Sequence, residues 1–190
     1  VPLDALANPL VVPLLGLLLE APAHPYELTT RLQQRYGAEM ARRSSVTTLV
    51  GSLAEAGLIA ARRAERVDKR PLRTPYRLTA KGTSELRRRI EEQVLRSPAG
   101  STQLTTSLAY IGLLSREIAA STLRTRSARL RREKDALPEM VDGIAEIHMI
   151  EVAYWRTMLT AEIRWLDTLE RRIGTDDIDW PGARKGEVLE

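Results

Sequence analysis

Four cations, Arg66, Lys69, Arg70 and Arg73, crowd the stretch "ERVDKRPLRTPYRLTAKG" (65–82), together with Pro71, Pro75 and a single aromatic, Tyr76. The prolines exclude an uninterrupted helix. Guanidinium and ammonium groups on a short extended segment suit charge-assisted bonds to phosphate oxygens. A second set lies upstream in "RRSSVTTLVGSLAEAGLI" (42–59), where Arg42 and Arg43 precede the hydroxyls of Ser44, Ser45, Thr47 and Thr48. If these residues open a helix, its free N–H groups and dipole favour phosphate, and its first turn can approach base edges. Arg42 and Arg43 then meet backbone phosphate rather than bases. The plainer alternatives are serines that only cap a helix and a basic loop that is only solvated.

These groups need elements to hold them. Val46, Leu49, Val50 and Leu53 fall at i, i+3, i+4 and i+7, a one-sided stripe that predicts a helix over about 44–56, with Ser44 or Ser45 as its cap and Gly57 as its stop. Thr47 and Thr48 lie off that stripe. Upstream, Asn8-Pro9 predicts a helix start that runs to about Glu20, although Pro13 is awkward inside it. Pro25 opens a second helix, with His24 as its cap and Gly37 at its end. "LIAARRAER" and "RTPYRLT" predict two short strands flanking the basic loop, and Thr79 caps a further helix to about Arg96. Three helices, a hairpin and a helix are the order of a winged helix-turn-helix. Tyr26, at the start of the second helix, is placed either to pack on the third or to face outward.

The segment "RSPAGSTQ" (96–103) predicts a boundary, giving a DNA-binding domain over 1–98, a helical domain over 99–175 and a loose tail over 176–190. In the second domain, Leu123, Leu130 and Leu137 follow a narrow pairing seam in a helix that begins at Ser115. A long helix over 139–173 carries His148, Val152, Trp155, Leu159 and Leu166 on one face, widened by Ile147, Ile150, Tyr154, Ala161 and Trp165. So broad an apolar surface predicts a second copy of the chain as its cover, with Leu123, Leu130, Leu137, Ile147, Val152, Trp155, Leu159 and Leu166 as the dimer interface. Trp155 and Trp165 could line a pocket for a small planar hydrophobic effector, although aromatics at helical spacing are more often packing residues. Glu151 and Glu162 are expected in salt bridges, with Arg156 and Arg164 as partners.

Composition narrows the function classes. The 190 residues contain no cysteine and two histidines, which leaves no thiolate site and too few imidazoles for a transition metal. No metal or other cofactor is expected. The absence of cysteine suits a cytoplasmic location. The apolar run "PLVVPLLGLLL" is about half the length that spans a bilayer and is broken by proline and glycine. A buried helix is the better reading, with no membrane partner and no secretory leader. Nucleophile-elbow, phosphate-loop and zincin motifs are absent, so an enzyme is not expected. Charge is uneven. Residues 1–98 hold 16 Lys+Arg against 10 Asp+Glu, whereas 99–190 hold 13 against 15. The first half is therefore the one that seeks a polyanion, double-stranded DNA.

The runs "LLGLLLEAPAHPYELTTRLQQR", "SSVTTLVGSLAEAGLI" and "KRPLRTPYRLTAKG" resemble the PadR-like transcriptional regulators. "LRTRSARLRREKDAL" and "EVAYWRTMLTAEIRWLDTLERRI" are similar to the C-terminal dimerisation helices of that family's longer-tailed members. The resemblance implies a homodimeric winged-helix repressor, often released from DNA by a ligand, with Tyr26 bonding a phosphate. One departure stands out. Thr47 replaces the tyrosine that the family usually carries at the start of the recognition helix, and Ser44 replaces a glycine, so that tyrosine's contacts do not carry over. A non-specific architectural DNA-binding protein is the alternative, since it shares the charge but needs no exposed reading helix.

Overall fold

The structure is a computed structural model that describes residues 5–63, 74–138, 146–175 and 177–181. It is mainly helical with one small two-stranded sheet, a winged helix-turn-helix followed by a helical domain. Two compact units divide between Arg89 and Ile90, inside one continuous helix.

The first unit begins with a 3-10 turn and helix α1, Val11–Glu20. The start lies two residues beyond Pro9. The Asn8 carboxamide accepts the Leu10 N–H at 2.9 Å, and the Asn8 carbonyl accepts from Val11. This later start resolves the awkward proline. Pro13 falls in the first turn, where a missing donor costs nothing because that turn has no carbonyl to receive it. Residues 11–18 of α1 are all buried, so the apolar run is a core helix.

Helix α2, Pro25–Tyr36, has proline at its first position and His24 at its N-cap, without a side-chain cap bond. Gly37 ends it at φ 100°, a conformation that side chains strain to adopt. Gln33 Nε2 then bonds the Ala41 carbonyl at 2.8 Å and closes the turn into α3, Arg43–Glu55. Val46, Leu49, Val50 and Leu53 of α3 are buried, as their spacing predicts. The predicted serine cap is not formed. The helix begins one residue before Ser44, with Arg42 at the N-cap and no side-chain cap bond. Gly57 follows at φ 71° and lets the chain leave in the left-handed conformation.

Strands β1, Ile59–Ala61, and β2, Tyr76–Leu78, pair antiparallel with Ile59 opposite Leu78 and Ala61 opposite Tyr76. Ala23 adds a bridge on the other edge of Tyr76, exchanging both backbone bonds with it at 3.0 and 2.8 Å. That pairing was not evident in the sequence.

Thr79 fastens the base of this wing. Its hydroxyl faces the Gly57 and Leu58 carbonyls at 2.8 and 3.0 Å and accepts the Gly82 N–H at 3.0 Å. It thereby caps helix α4, Ala80–Arg96. Gly82 sits so close to the strand that an added Cβ would lie 2.0 Å from the Leu58 carbonyl oxygen. Lys81 Nζ donates to the Ala56 carbonyl at 2.7 Å, neutralising the C-terminal end of α3. Glu85 bonds Arg88 and Arg89, and those bonds, Arg88 first, hold its carboxyl down at about 2 against the opposing effect of burial.

The second unit contains the end of α4, then α5, Thr102–Leu108, α6, Arg116–Asp135, and α7, Ile150–Gly174. Helix α5 was not expected. Ser101 caps it and Ser115 caps α6. Helices α6 and α7 pack on one another, and their pairing is antiparallel, since Arg124 meets Glu170 while Arg131 meets Asp167. The long helix begins later than predicted. Glu146–Met149 form a 3-10 turn, and 139–145 lie outside the described residues.

At the centre of this unit Arg126 is fully buried. Its Nε donates to Glu162 at 2.7 Å, and Nη1 donates to the Val94 and Ser97 carbonyls at 2.9 and 2.8 Å. The other Glu162 oxygen accepts the Gly100 N–H at 2.9 Å. One ion pair thus ties the last turn of α4, the following loop, α6 and α7 together. Burial pulls the Arg126 pKa down and the Glu162 carboxylate opposes it. The expected partners of Glu162 were other arginines. Arg156 instead donates to the Pro138 carbonyl.

The tail is not loose throughout. Trp180 is buried and donates Nε1–H to the Leu114 carbonyl at 3.0 Å, while Pro181 sits against Gly112.

Candidate nucleic-acid interface

The buried stripe of α3 fixes what its other side presents. Arg42, Arg43, Ser44, Ser45, Thr47 and Thr48 are all exposed, at the end of the helix where unpaired N–H groups gather. Thr47 Oγ1 donates to the Arg43 carbonyl at 3.0 Å, which leaves its lone pairs outward. Tyr26 is 47% exposed and also packs on α3 through Arg43, so it combines its two expected placements. The Arg43 guanidinium lies over the Tyr26 ring, 4.6 Å from the centroid, and the His24 ring stacks with the Tyr26 ring at 6.3 Å between centroids. The first turns of α2 and α3 therefore present one joint surface of two cations, four hydroxyls and a phenol.

At the base of the wing, Arg62, Arg63 and Arg77 are exposed, adding cations that the sequence reading passed over. The Arg62 N–H extends the ladder to the Pro75 carbonyl at 2.8 Å. Arg66, Lys69, Arg70 and Arg73 lie outside the described residues.

Residues 14–88 match the model of the transcriptional regulator PadR-like family. Over that segment, which holds the winged helix-turn-helix, the chain is similar to that family. The match leaves residues 89–190 outside it. No curated protein matches the chain. Among solved structures, Bacillus subtilis PadR in complex with operator DNA is 19% identical, over 87% of this chain and 99% of that one, with a TM-score of 0.42. The same protein in complex with p-coumaric acid gives 18% identity, 88% and 99% coverage and a TM-score of 0.38. A PadR-like transcriptional regulator from Bacillus cereus gives 13% identity, 87% and 98% coverage and a TM-score of 0.36. All three are distant in sequence and in backbone superposition.

Beyond the PadR-like segment, the expected dimer residues divide. Leu123, Leu130, Val152, Leu159 and Leu166 are buried within the chain itself, where α6 meets α7, so no second copy is needed to cover them. Leu137 is half-buried. Ile147 and Trp155 stay exposed, with Ile150, Tyr154, Met158 and Trp165. On α7, Ile150, Tyr154, Met158, Ala161 and Trp165 fall within an arc of about 80°, on the side away from Val152, Leu159 and Leu166. The helix has two apolar faces, and the chain itself fills one. Trp155 and Trp165 stand ten residues apart on this helix, about 15 Å along its axis. One planar molecule cannot touch both from a single copy. Among the described residues, no helix is long and apolar enough to cross a membrane.

Proposed function

We propose that the chain is a cytoplasmic, homodimeric, sequence-specific DNA-binding regulator that represses from an inverted-repeat operator. The observation that carries this is the two-sidedness of α3. Its apolar side is consumed by the core, and its first turn offers Arg42, Arg43, Ser44, Ser45, Thr47 and Thr48 to solvent beside Tyr26. An architectural protein needs only cations. Exposed hydroxyls on a buried-backed helix favour a reader of base edges. The roles follow from reach: Thr47 and Thr48 to base edges, Arg42, Arg43 and Tyr26 to phosphates, and Arg66, Lys69, Arg70 and Arg73 to phosphates or the minor groove beside the wing.

The second copy is supported by the exposed stripe Ile150, Tyr154, Met158 and Trp165, contiguous with Ile147 and Trp155. Two recognition helices related by a two-fold axis suit half-sites about one duplex turn apart. A small hydrophobic effector held between Trp155 and Trp165 would need one indole from each copy, which would couple its binding to the arrangement of the dimer.

Selection of genomic fragments by the purified protein tests the reading. The expected footprint holds two symmetric half-sites, and log K falls against log salt with a slope of at least about −4 per dimer. Equal affinity for selected and random fragments would hand the chain to the architectural class.

A further inference from the structure

We propose that the groove between α6 and α7 is a binding site for a small multivalent organic oxyanion, separate from the DNA-facing surface. The groove has a volume of about 330 Å³ and is lined by Arg131, Lys134, Ile163, Arg164, Asp167 and Arg171. Four of these are cations. The only carboxylate among them is already engaged: Asp167 accepts from Ser127 Oγ at 2.6 Å and from Arg131. Lys134 has only a 3.9 Å approach to Asp135, and neither Arg164 nor Arg171 forms an ion pair among the described residues. Arg164 and Arg171 stand two helical turns apart on α7, about 10 Å along its axis, a spacing that long side chains can close on a ligand bearing several anionic oxygens.

Other lining groups narrow the ligand class. Thr160 and Thr168 donate their hydroxyl protons to the Arg156 and Arg164 carbonyls at 2.7 and 2.9 Å, so toward the groove they can only accept. They suit hydroxyl groups on the ligand rather than its charges. Ile163, 8% exposed, provides an apolar floor for a carbon skeleton. A nucleic-acid strand is the poorer occupant. Residues 99–190 carry 13 basic and 15 acidic residues, so the groove is a local positive site on a mildly acidic segment that would repel an extended polyanion.

Calorimetric titration of the full chain with citrate and, separately, with fructose 1,6-bisphosphate at fixed ionic strength is the test. One of the two should bind saturably, and the tighter one identifies carboxylate or phosphate as the recognised head group. The double variant R164Q plus R171Q should weaken that binding at least about tenfold, while R42Q plus R43Q on the DNA-facing surface should not. Thr168→Glu, which adds a carboxylate and removes no cation, should weaken it by a similar factor with an unchanged melting profile. Absence of saturation with both anions up to roughly 10 mM, or equal losses in the two double variants, would overturn the proposal. So would binding unaffected by Thr168→Glu. DNA affinity without the anion is the last arm: R164Q plus R171Q should leave it unchanged, and a several-fold loss with a shallower salt slope would make the groove a DNA contact instead.

Discussion

The Arg43 guanidinium rests on the Tyr26 ring, 4.6 Å from its centroid, and joins the start of α3 to the start of α2. A stacked guanidinium keeps its in-plane donors free while its swing is restricted. On the proposed reading, Tyr26 then acts in two separable ways, through its ring on Arg43 and through its hydroxyl on phosphate. Tyr26→Phe keeps the stack and should weaken DNA binding less than about threefold. Tyr26→Ala loses both and should weaken it roughly tenfold, as the cost of a cation–π contact and a hydrogen bond suggests. Equal losses in fluorescence anisotropy would place the effect in the hydroxyl alone.

Gly82 carries the tightest steric demand in the wing base. A methyl group there would overlap the Leu58 carbonyl at 2.0 Å and the Leu78 side chain at 2.8 Å. Gly82→Ala must push α4 and the strand apart, and about 2–4 kcal/mol of stability should be lost in urea unfolding. Thr79→Ala, which removes the cap and its carbonyl bonds, should cost about 1–2 kcal/mol.

The buried ion pair in the second unit should be intolerant of halving. Arg126→Ala strands the Glu162 carboxylate and leaves the Val94 and Ser97 carbonyls without their donor. A loss of about 3–5 kcal/mol is expected in chemical unfolding. Restoration by lysine should be partial, because one ammonium cannot replace a fork that reaches a carboxylate and two carbonyls.

Glu85 sets an acid limit on the first unit. Its carboxyl titrates at about 2, below its ordinary value of 4.5, chiefly because Arg88 and then Arg89 bond the ionised form. A depressed folded-state value means stability that is whole above the unfolded pKa and lost as pH falls from about 4.5 toward 2. Arg88 is largely exposed, so screening reduces the contribution to about 1 kcal/mol. Glu85→Gln should be less stable than the parent by that amount at pH 7, and the gap between their unfolding curves should close through that acid window.

Periodicity and turn chemistry made the first unit legible residue by residue. The i, i+3, i+4, i+7 stripe of α3, Gly37, Gly57 and Thr79 all act as their types suggest, because each role is local. What escaped was non-local. The Ala23–Tyr76 bridge joins residues 53 positions apart, and nothing in "APAHP" signals an extended pairing. The serine cap failed because the chain turns into α3 at Arg42, where Gln33 bonds Ala41, a constraint from a different helix. In the second unit the sequence showed that α7 has a broad apolar surface but not which part of it its own α6 would fill. Leu123 and Leu159 thus looked like partner contacts and are core. Arg126 looked like one more cation on a basic helix, because burial of a charge leaves no trace in spacing.

Trp180, seated under Leu114, gives the chain a built-in optical standard. It shares the molecule with two other indoles, Trp155 and Trp165, at 43% and 49% exposure. There is no phenylalanine. Iodide should quench two emitters and spare one. As protein concentration rises, the quenchable share should fall and the spectrum shift to the blue if α7 finds its mate, while the protected emitter holds its wavelength. Self-association of this chain can therefore be followed by its own light, without label or tag.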